Sequence, residues 1–357
     1  EMRSACENLE HELKELRLAF GIEFKKGEWG EIENNPKVYK GLNNVKEKLL
    51  KLNEQLELAA VRSKGLEICF KRSEELGERL VQLMEDTSGQ WIRWYETHKK
   101  TFTLSRTPLD IANEFQMFMQ QHAGTWIFTS ATLSIAHKFD YFSNSLGITD
   151  AGAQSWDSPF DFEAQSLFYH PKGVAQPSSP DFVRSVVEFA LPVLEASQGR
   201  TFFLFTSHRA LKEAAQLIEN EIDFPLLIQG SRPKSILLDQ FKTYGNAVLL
   251  GTSSFWEGVD VRGEALSCVI IDKLPFAAPS DPVLKARLNA MEKQGKNPFV
   301  EHQLPKAVIT LRQGIGRLIR DVNDRGVLVL CDPRLLKRSY GRVFLDSIPS
   351  MARTRDI

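Results

Sequence analysis

The stretch Arg312-Gln-Gly-Ile-Gly-Arg-Leu-Ile-Arg-Asp321 carries three arginines and a glutamine within ten residues. Ile315, Leu318 and Ile319 between them mark the segment as partly buried, and arginine is rarely buried without an anion. Read as a helix from Lys306 to Arg320 at about 100° per residue, it gathers Gln313, Arg317 and Arg320 within about a 60° arc. Val308, Leu311, Ile315, Leu318 and Ile319 then form the opposite, core-facing side. Gly314 and Gly316 disfavour such a helix by up to about 1 kcal/mol each; their use lies in letting another backbone or a ligand approach closely. Two chemistries fit this pattern. The arginines either pair with surface carboxylates or turn their forks towards phosphate oxygens, which a guanidinium matches at any working pH.

A second cluster is Gly251-Thr-Ser-Ser-Phe-Trp-Glu-Gly-Val-Asp-Val-Arg-Gly263, which follows a buried strand. It reads either as a self-bonded Gly/Ser/Asp turn or as a ligand loop carrying Glu257, Gly258 and Asp260. A third, Phe128-Thr-Ser-Ala-Thr-Leu-Ser134, places small hydroxyl residues after an expected strand at Trp126–Phe128.

The elements that must position these residues are legible from hydrophobic patterning. From about Gln165 the strands SLFYH, TFFLFTS, PLLIQ, AVLLGTS, SCVIID and GVLVLCD alternate with helical stretches at Phe182–Leu194, Ala210–Ile218 and Ser235–Phe241. Near-continuous apolar strands separated by amphipathic helices indicate a doubly wound α/β domain with a parallel sheet. Ligands of such sheets bind beyond the carboxyl ends of the strands. Three polar turns fall there: Thr206–Arg209, Gly251–Ser254 and Lys273–Phe276.

Upstream, Leu42–Met84 is rich in Glu, Lys and Leu with an apolar heptad, interrupted at Ser63, Ser73 and Gly77. An intramolecular helical hairpin suits it better than a dimeric coiled coil. WIRWYE and KKTFTLSRTPLD read as strands, in which Trp91, Trp94 and Tyr95 are expected to pack rather than stack on bases. Trp256 is likewise expected to brace its own loop.

The chain has 357 residues, a formal net charge of −1, 42% hydrophobic and 25% charged residues. No global positive field attracts a polyanion, which must be held by a local patch. Cys6, Cys69, Cys268 and Cys331 are dispersed, and His137, His208 and His302 show no ligand spacing, so no metal site is expected. Buried free thiols are expected instead. With no signal peptide and no apolar run near about 18 residues, the expectation is a soluble, cytoplasmic chain with no membrane span. The opening EMRSACENLEHEL reads as the middle of a longer chain.

Taken together and in order, FTSATLS, GTSSFWEGVDVRG, KLPF and the Q-x-x-G-R-x-x-R of QGIGRLIR resemble XPD/Rad3-like superfamily 2 DNA helicases, of the bacterial DinG/YoaA type. The resemblance implies two RecA-like motors with ATP between them, hydrolysis coupled to 5′-to-3′ stepping on single-stranded DNA, and a monomeric motor. It implies that Arg317 and Arg320 reach the terminal phosphates with Gln313 beside them. Glu257, Gly258 and Asp260 would couple the nucleotide to DNA, and Ser130, Ala131 and Thr132 would link hydrolysis to closure. Thr206, Ser207, Thr252 and Ser253 would touch the single-strand backbone. Residues 1–90 would be a helical arch-like remnant, 91–160 the last segment of the first motor, and 161–357 the second motor.

The phosphate-cradling G-x-x-x-x-G-K-[ST] does not occur; Gly295-Lys296 runs into Asn297. Neither does an Asp-Glu-x-His for Mg2+, nor cysteines at the spacing of a 4Fe-4S cluster, which the resemblance assigns to a preceding N-terminal part. Such a chain is expected to hydrolyse ATP negligibly by itself. A rival reading makes the basic tail, with Arg334, Lys337, Arg338, Arg342, Arg353 and Arg355, a contact for a replication clamp-loader accessory subunit, against a frayed terminus. A third is a DinG-like nuclease or inactive homologue.

Overall fold

The computed structural model describes residues 1–122, 124–135, 138–256, 261 and 265–356. The first elements in chain order are α1 (Met2–Ala19), β1 (Lys25–Glu28), α2 (Trp29–Glu33), α3 (Pro36–Ala60), α4 (Lys64–Glu85), β2 (Trp91–Thr97), β3 (Phe102–Pro108) and α5 (Ala112–Gln121). Next come α6 (Asp140–Leu146), α7 (Phe162–Gln165), β4 (Ser166–Tyr169), α8 (Phe182–Ala196), β5 (Thr201–Leu204), α9 (His208–Ile218), β6 (Leu226–Ile228), α10 (Lys234–Tyr244) and β7 (Val248–Gly251). The last are α11 (Ser253–Trp256), β8 (Cys268–Ile271), α12 (Pro282–Lys293), α13 (Leu304–Ile315), β9 (Gly326–Leu330), α14 (Arg334–Lys337), α15 (Gly341–Leu345) and β10 (Ala352–Thr354). Two compact units result: Glu1–Phe115 with Ala278–Lys296, and Gln116–Ala277 with Asn297–Ile357.

In the first unit α3 starts where the Asn35 side chain accepts the Lys37 and Val38 amides and Pro36 supplies a preset φ. The heptad residues Val45, Leu49, Leu56 and Ala59 are buried. Ser63, one of the seam's interruptions, caps α4 by accepting the Leu66 amide at 3.3 Å. Ser73, another, is buried and donates to Asn53 Oδ1 at 2.9 Å, so α3 and α4 form the expected hairpin. Strands β1, β2 and β3 make an antiparallel sheet whose Tyr95 joins Leu16, Trp29, Ile32 and Leu42 in the core. The aromatic side chains of β2 are engaged locally: Arg106 lies 3.9 Å from the Trp91 ring, and Trp94 Nε1 donates to Thr107 Oγ1. The first unit ends at Phe115, and α12 joins it because Asp281 and Lys285 pair with Lys26 and Glu28.

In the second unit seven parallel strands run in the order β10-β4-β9-β8-β5-β7-β6. Strands β5, β7 and β8 are buried throughout, as expected for a sheet covered on both faces. One face packs on α8 and α9 through Val186, Ala190, Leu211 and Ala214. The other packs on α10 and α13 through Leu237, Phe241, Val308 and Leu311.

Three expectations are corrected. Trp126–Phe128 is not a strand; its backbone finds no ladder among the described residues, and Ile127 is 79% exposed. Cys6 and Cys69 are exposed on α1 and α4, and only Cys268 and Cys331 are buried, all four being free. The basic tail is not frayed: Phe344 and Met351 are buried and β10 pairs with β4.

Candidate functional site

The strand order β9-β8-β5-β7-β6 brings together turns that are far apart in sequence, since neighbouring strands lie about 4.8 Å apart. Asp272, just past β8, accepts the amides of Thr206 (3.1 Å) and Lys273 (2.7 Å). Burial pushes its carboxyl up to about 7 despite these donors. Asp332, past β9, is fully buried, accepts the Leu274 amide at 2.9 Å and pairs with Arg334 at 2.6 Å, so the Lys273–Phe276 turn hangs on it. Ser207 caps α9 by accepting the Ala210 amide. Thr252 is buried, and its amide and hydroxyl both donate to Gln229 Oε1 (2.6 and 3.1 Å). Its hydroxyl also lies 3.3 Å from His208 Nε2. The side chain of Ser253, and Glu257, Gly258 and Asp260 altogether, lie outside the described residues.

The arginine segment differs from the expected helix. α13 ends at Ile315, and Gly316 caps it by donating to Arg312 O at 2.9 Å. Arg317 and Arg320 therefore sit beyond the helix, not on one face of it with Gln313. The chain turns instead: the Arg317 and Leu318 amides donate to Gly314 O and Ile315 O. Leu318 and Ile319 are buried by this turn rather than by a continued helix. Arg317 donates from Nε (3.3 Å) and Nη2 (3.1 Å) to the carbonyl of Trp256, the residue immediately before Glu257–Asp260. Trp256 is buried, its indole against Gly314; the loop that it was expected to brace lies mostly outside the described residues. Arg320 donates its amide to Asp324 Oδ2 at 2.8 Å; burial lowers its guanidinium pKa, against the pull of Asp324. The Gln313 Oε1 is buried without a hydrogen-bond partner among the described residues.

Residues 190–351 match the Helicase C-terminal domain family. YoaA of Escherichia coli (strain K12), named an ATP-dependent DNA helicase, is 42% identical over 100% of this chain and 56% of that protein. DinG of Bacillus subtilis (strain 168), named a 3′-5′ exonuclease, is 36% identical over 63% of this chain and 25% of that protein. A solved XPD helicase structure shares the fold with a TM-score of 0.60 at 19% identity, covering 99% of this chain and 62% of that one. Over its whole length the chain is similar to the YoaA-type helicases, and residues 190–351 carry the Helicase C-terminal domain. It spans about half the length of the YoaA relatives it matches. The seven-stranded parallel sheet is RecA-like in fold.

Arg312, which opens the arginine segment but received no role from its pattern, binds the Ser-Ala-Thr turn. It donates to the carbonyls of Ser134 and Ala131, the latter at 3.1 Å, and burial lowers its pKa. Within the turn the Thr132 amide donates to Ser130 Oγ at 3.2 Å. A groove of about 480 Å³ passes Arg312, but Asp157, Asp161, Glu163 and Asp346 line it too, so it offers phosphate no net attraction. Gln229, His208 and Asp272 were also missed. Gln229 and Asp272 follow strands as Thr206 does, and the rule that pointed to the hydroxyl turns could have flagged them.

The residues present fit the implied groups unevenly. The orphaned Gln313 oxygen and the two guanidiniums suit a nucleotide's hydroxyl and phosphates. The cysteines do not suit an iron–sulfur cluster: the Cys268 thiol is pushed up by burial to about 12, and Cys6 and Cys69 lie on separate helices. Among the described residues no group of three His, Cys, Asp or Glu side chains could hold a metal ion. No helix among them is long and apolar enough to cross a membrane.

Proposed function

We propose that this chain is the nucleotide-sensing and strand-binding part of an ATP-dependent DNA helicase that steps 5′ to 3′ along single-stranded DNA. Arg317 and Arg320 stabilise the charge on the terminal phosphates of ATP, with Gln313 beside them. The phosphate cradle, the Mg2+ carboxylates and any 4Fe-4S cluster come from sequence preceding this chain, of which residues 1–90 continue an arch and 91–160 the first motor. Thr206, Ser207 and Ser253 meet the sugar–phosphate backbone, and buried Thr252 holds their turns in place.

The observation that carries this reading is the fork of Arg317 on the carbonyl of Trp256. A guanidinium that moves with a phosphate moves that carbonyl, and hence Glu257, Gly258 and Asp260 next in the chain. The contact of Arg312 with Ala131 and Ser134 extends the same coupling to Ser130–Thr132. In the full-length protein, Arg317→Ala and Arg317→Lys should lower ATP turnover about a hundredfold or more while single-strand affinity changes less than about threefold. Equal losses in both would remove the arginine from the nucleotide site.

A second reading rests on the exposed Lys337, Arg338, Arg342, Arg353 and Arg355 of the folded tail. That face would dock an acidic protein surface, for which the resemblance supplies a replication clamp-loader accessory subunit.

A further inference from the structure

We propose that Gln229 is a positioning residue that locks the two hydroxyl turns into one surface for the backbone of a single nucleic-acid strand. The proposal rests on the strand-binding reading of those turns given above. Gln229 follows β6, and its amide donates to Leu250 O at 3.0 Å, prolonging the β6–β7 pairing by one residue. The side chain thereby stands beside the turn after β7. Its Oε1 accepts both the Thr252 amide (2.6 Å) and the Thr252 hydroxyl (3.1 Å), and its Nε2 donates to Ser254 Oγ (3.2 Å). With its proton on Gln229, the Thr252 oxygen accepts from His208 Nε2 at 3.3 Å, at the start of α9 and next to Ser207. One amide thus ties the ends of β6 and β7 to the end of β5. These are the turns that carry Thr206, Ser207 and Ser253.

A neutral amide meets this demand without adding charge. A carboxylate could accept from Thr252 and from the Ser254 hydroxyl, but it would set a negative charge beside an incoming phosphate. The exposed side chains Arg209 and Arg232, two residues past Ser207 and three past Gln229, have the opposite sign. Cations there favour a polyanion, and the backbone-held hydroxyl turns favour the part of it that does not vary with base sequence.

The test is ATP turnover of the full-length protein against the concentration of an oligothymidylate of about 20 nucleotides, a length above single-fold site sizes. Gln229→Met keeps the length and removes both hydrogen-bonding functions. The DNA concentration for half-maximal turnover should rise about fivefold or more, with kcat at saturating DNA within about twofold. Gln229→Glu should shift it in the same direction, and decides the matter if the methionine variant does not fold. Unchanged half-saturation, or a loss confined to kcat, would overturn the positioning role. Wild-type turnover and binding both indifferent to DNA would instead overturn the strand-binding reading, and this inference with it.

Discussion

A Cβ at Gly314 would lie 2.9 Å from Cε3 of Trp256, whose indole fills the space a side chain would take. The glycine therefore costs α13 some intrinsic stability and lets the helix close on the residue whose carbonyl Arg317 holds. Gly314→Ala should lower unfolding stability by about 1–3 kcal/mol, as other overpacking changes do. At Gly316, just past the helix, φ is −62° and the closest clash is a milder 3.3 Å to Arg312 O, so Gly316→Ala should cost less. Denaturant midpoints measure both, and equal effects would show that the indole is free to move aside. The pattern of glycines was readable as a need for close approach; that a tryptophan rather than a ligand fills it was not.

Between elements, Asp272 joins the ends of β8 and β5 through the Thr206 amide. Its carboxyl is pushed up by burial to about 7 from an ordinary value of 3.8, so the folded state holds a proton that the unfolded state has released. Stability from this group is fully present below about pH 4 and falls as pH rises through about 7. Asp272→Asn retains an acceptor for the Thr206 amide and removes the titration. The variant's thermal midpoint should fall less than that of the wild type between pH 4 and 7, and parallel curves would show that the carboxyl is ionised throughout. The strands themselves were legible, because β5, β7 and β8 are short runs of large apolar residues. The end of α13 was misjudged because Leu318 and Ile319 continue its apolar period. They are buried by the turn after Gly316 instead, Leu318 against Gly326 at the start of β9, which has no side chain to oppose it.

Across the whole molecule, the last 17 residues complete the core of the second unit. Phe344 is fully buried, Met351 is 5% exposed and β10 forms an edge of the sheet. Truncation after Tyr340 removes a buried aromatic, a methionine and a strand, a loss of about 5 kcal/mol or more by analogy with large-to-small core changes. The truncated protein should unfold or aggregate at temperatures the intact one tolerates, and an unchanged melting curve would refute this. Partner docking is therefore better probed by charge reversal at Arg338 and Arg342, both exposed, with partner capture lost and melting unchanged.

Local chemistry in the sequence was enough to determine a parallel α/β sheet, a helical hairpin, and the motifs that resemble those of XPD/Rad3-like helicases. Each depends on residues a few positions apart, whose periodicity and turn preference are set by the backbone itself. Only the tertiary structure decided that Gln229 would hold Thr252, that Arg312 would hold the Ser-Ala-Thr turn, and that Arg317 would close on Trp256. Those contacts require strands and loops remote in the chain to become neighbours. Their order is chosen by how large buried faces fit against one another, which no short stretch of residues encodes.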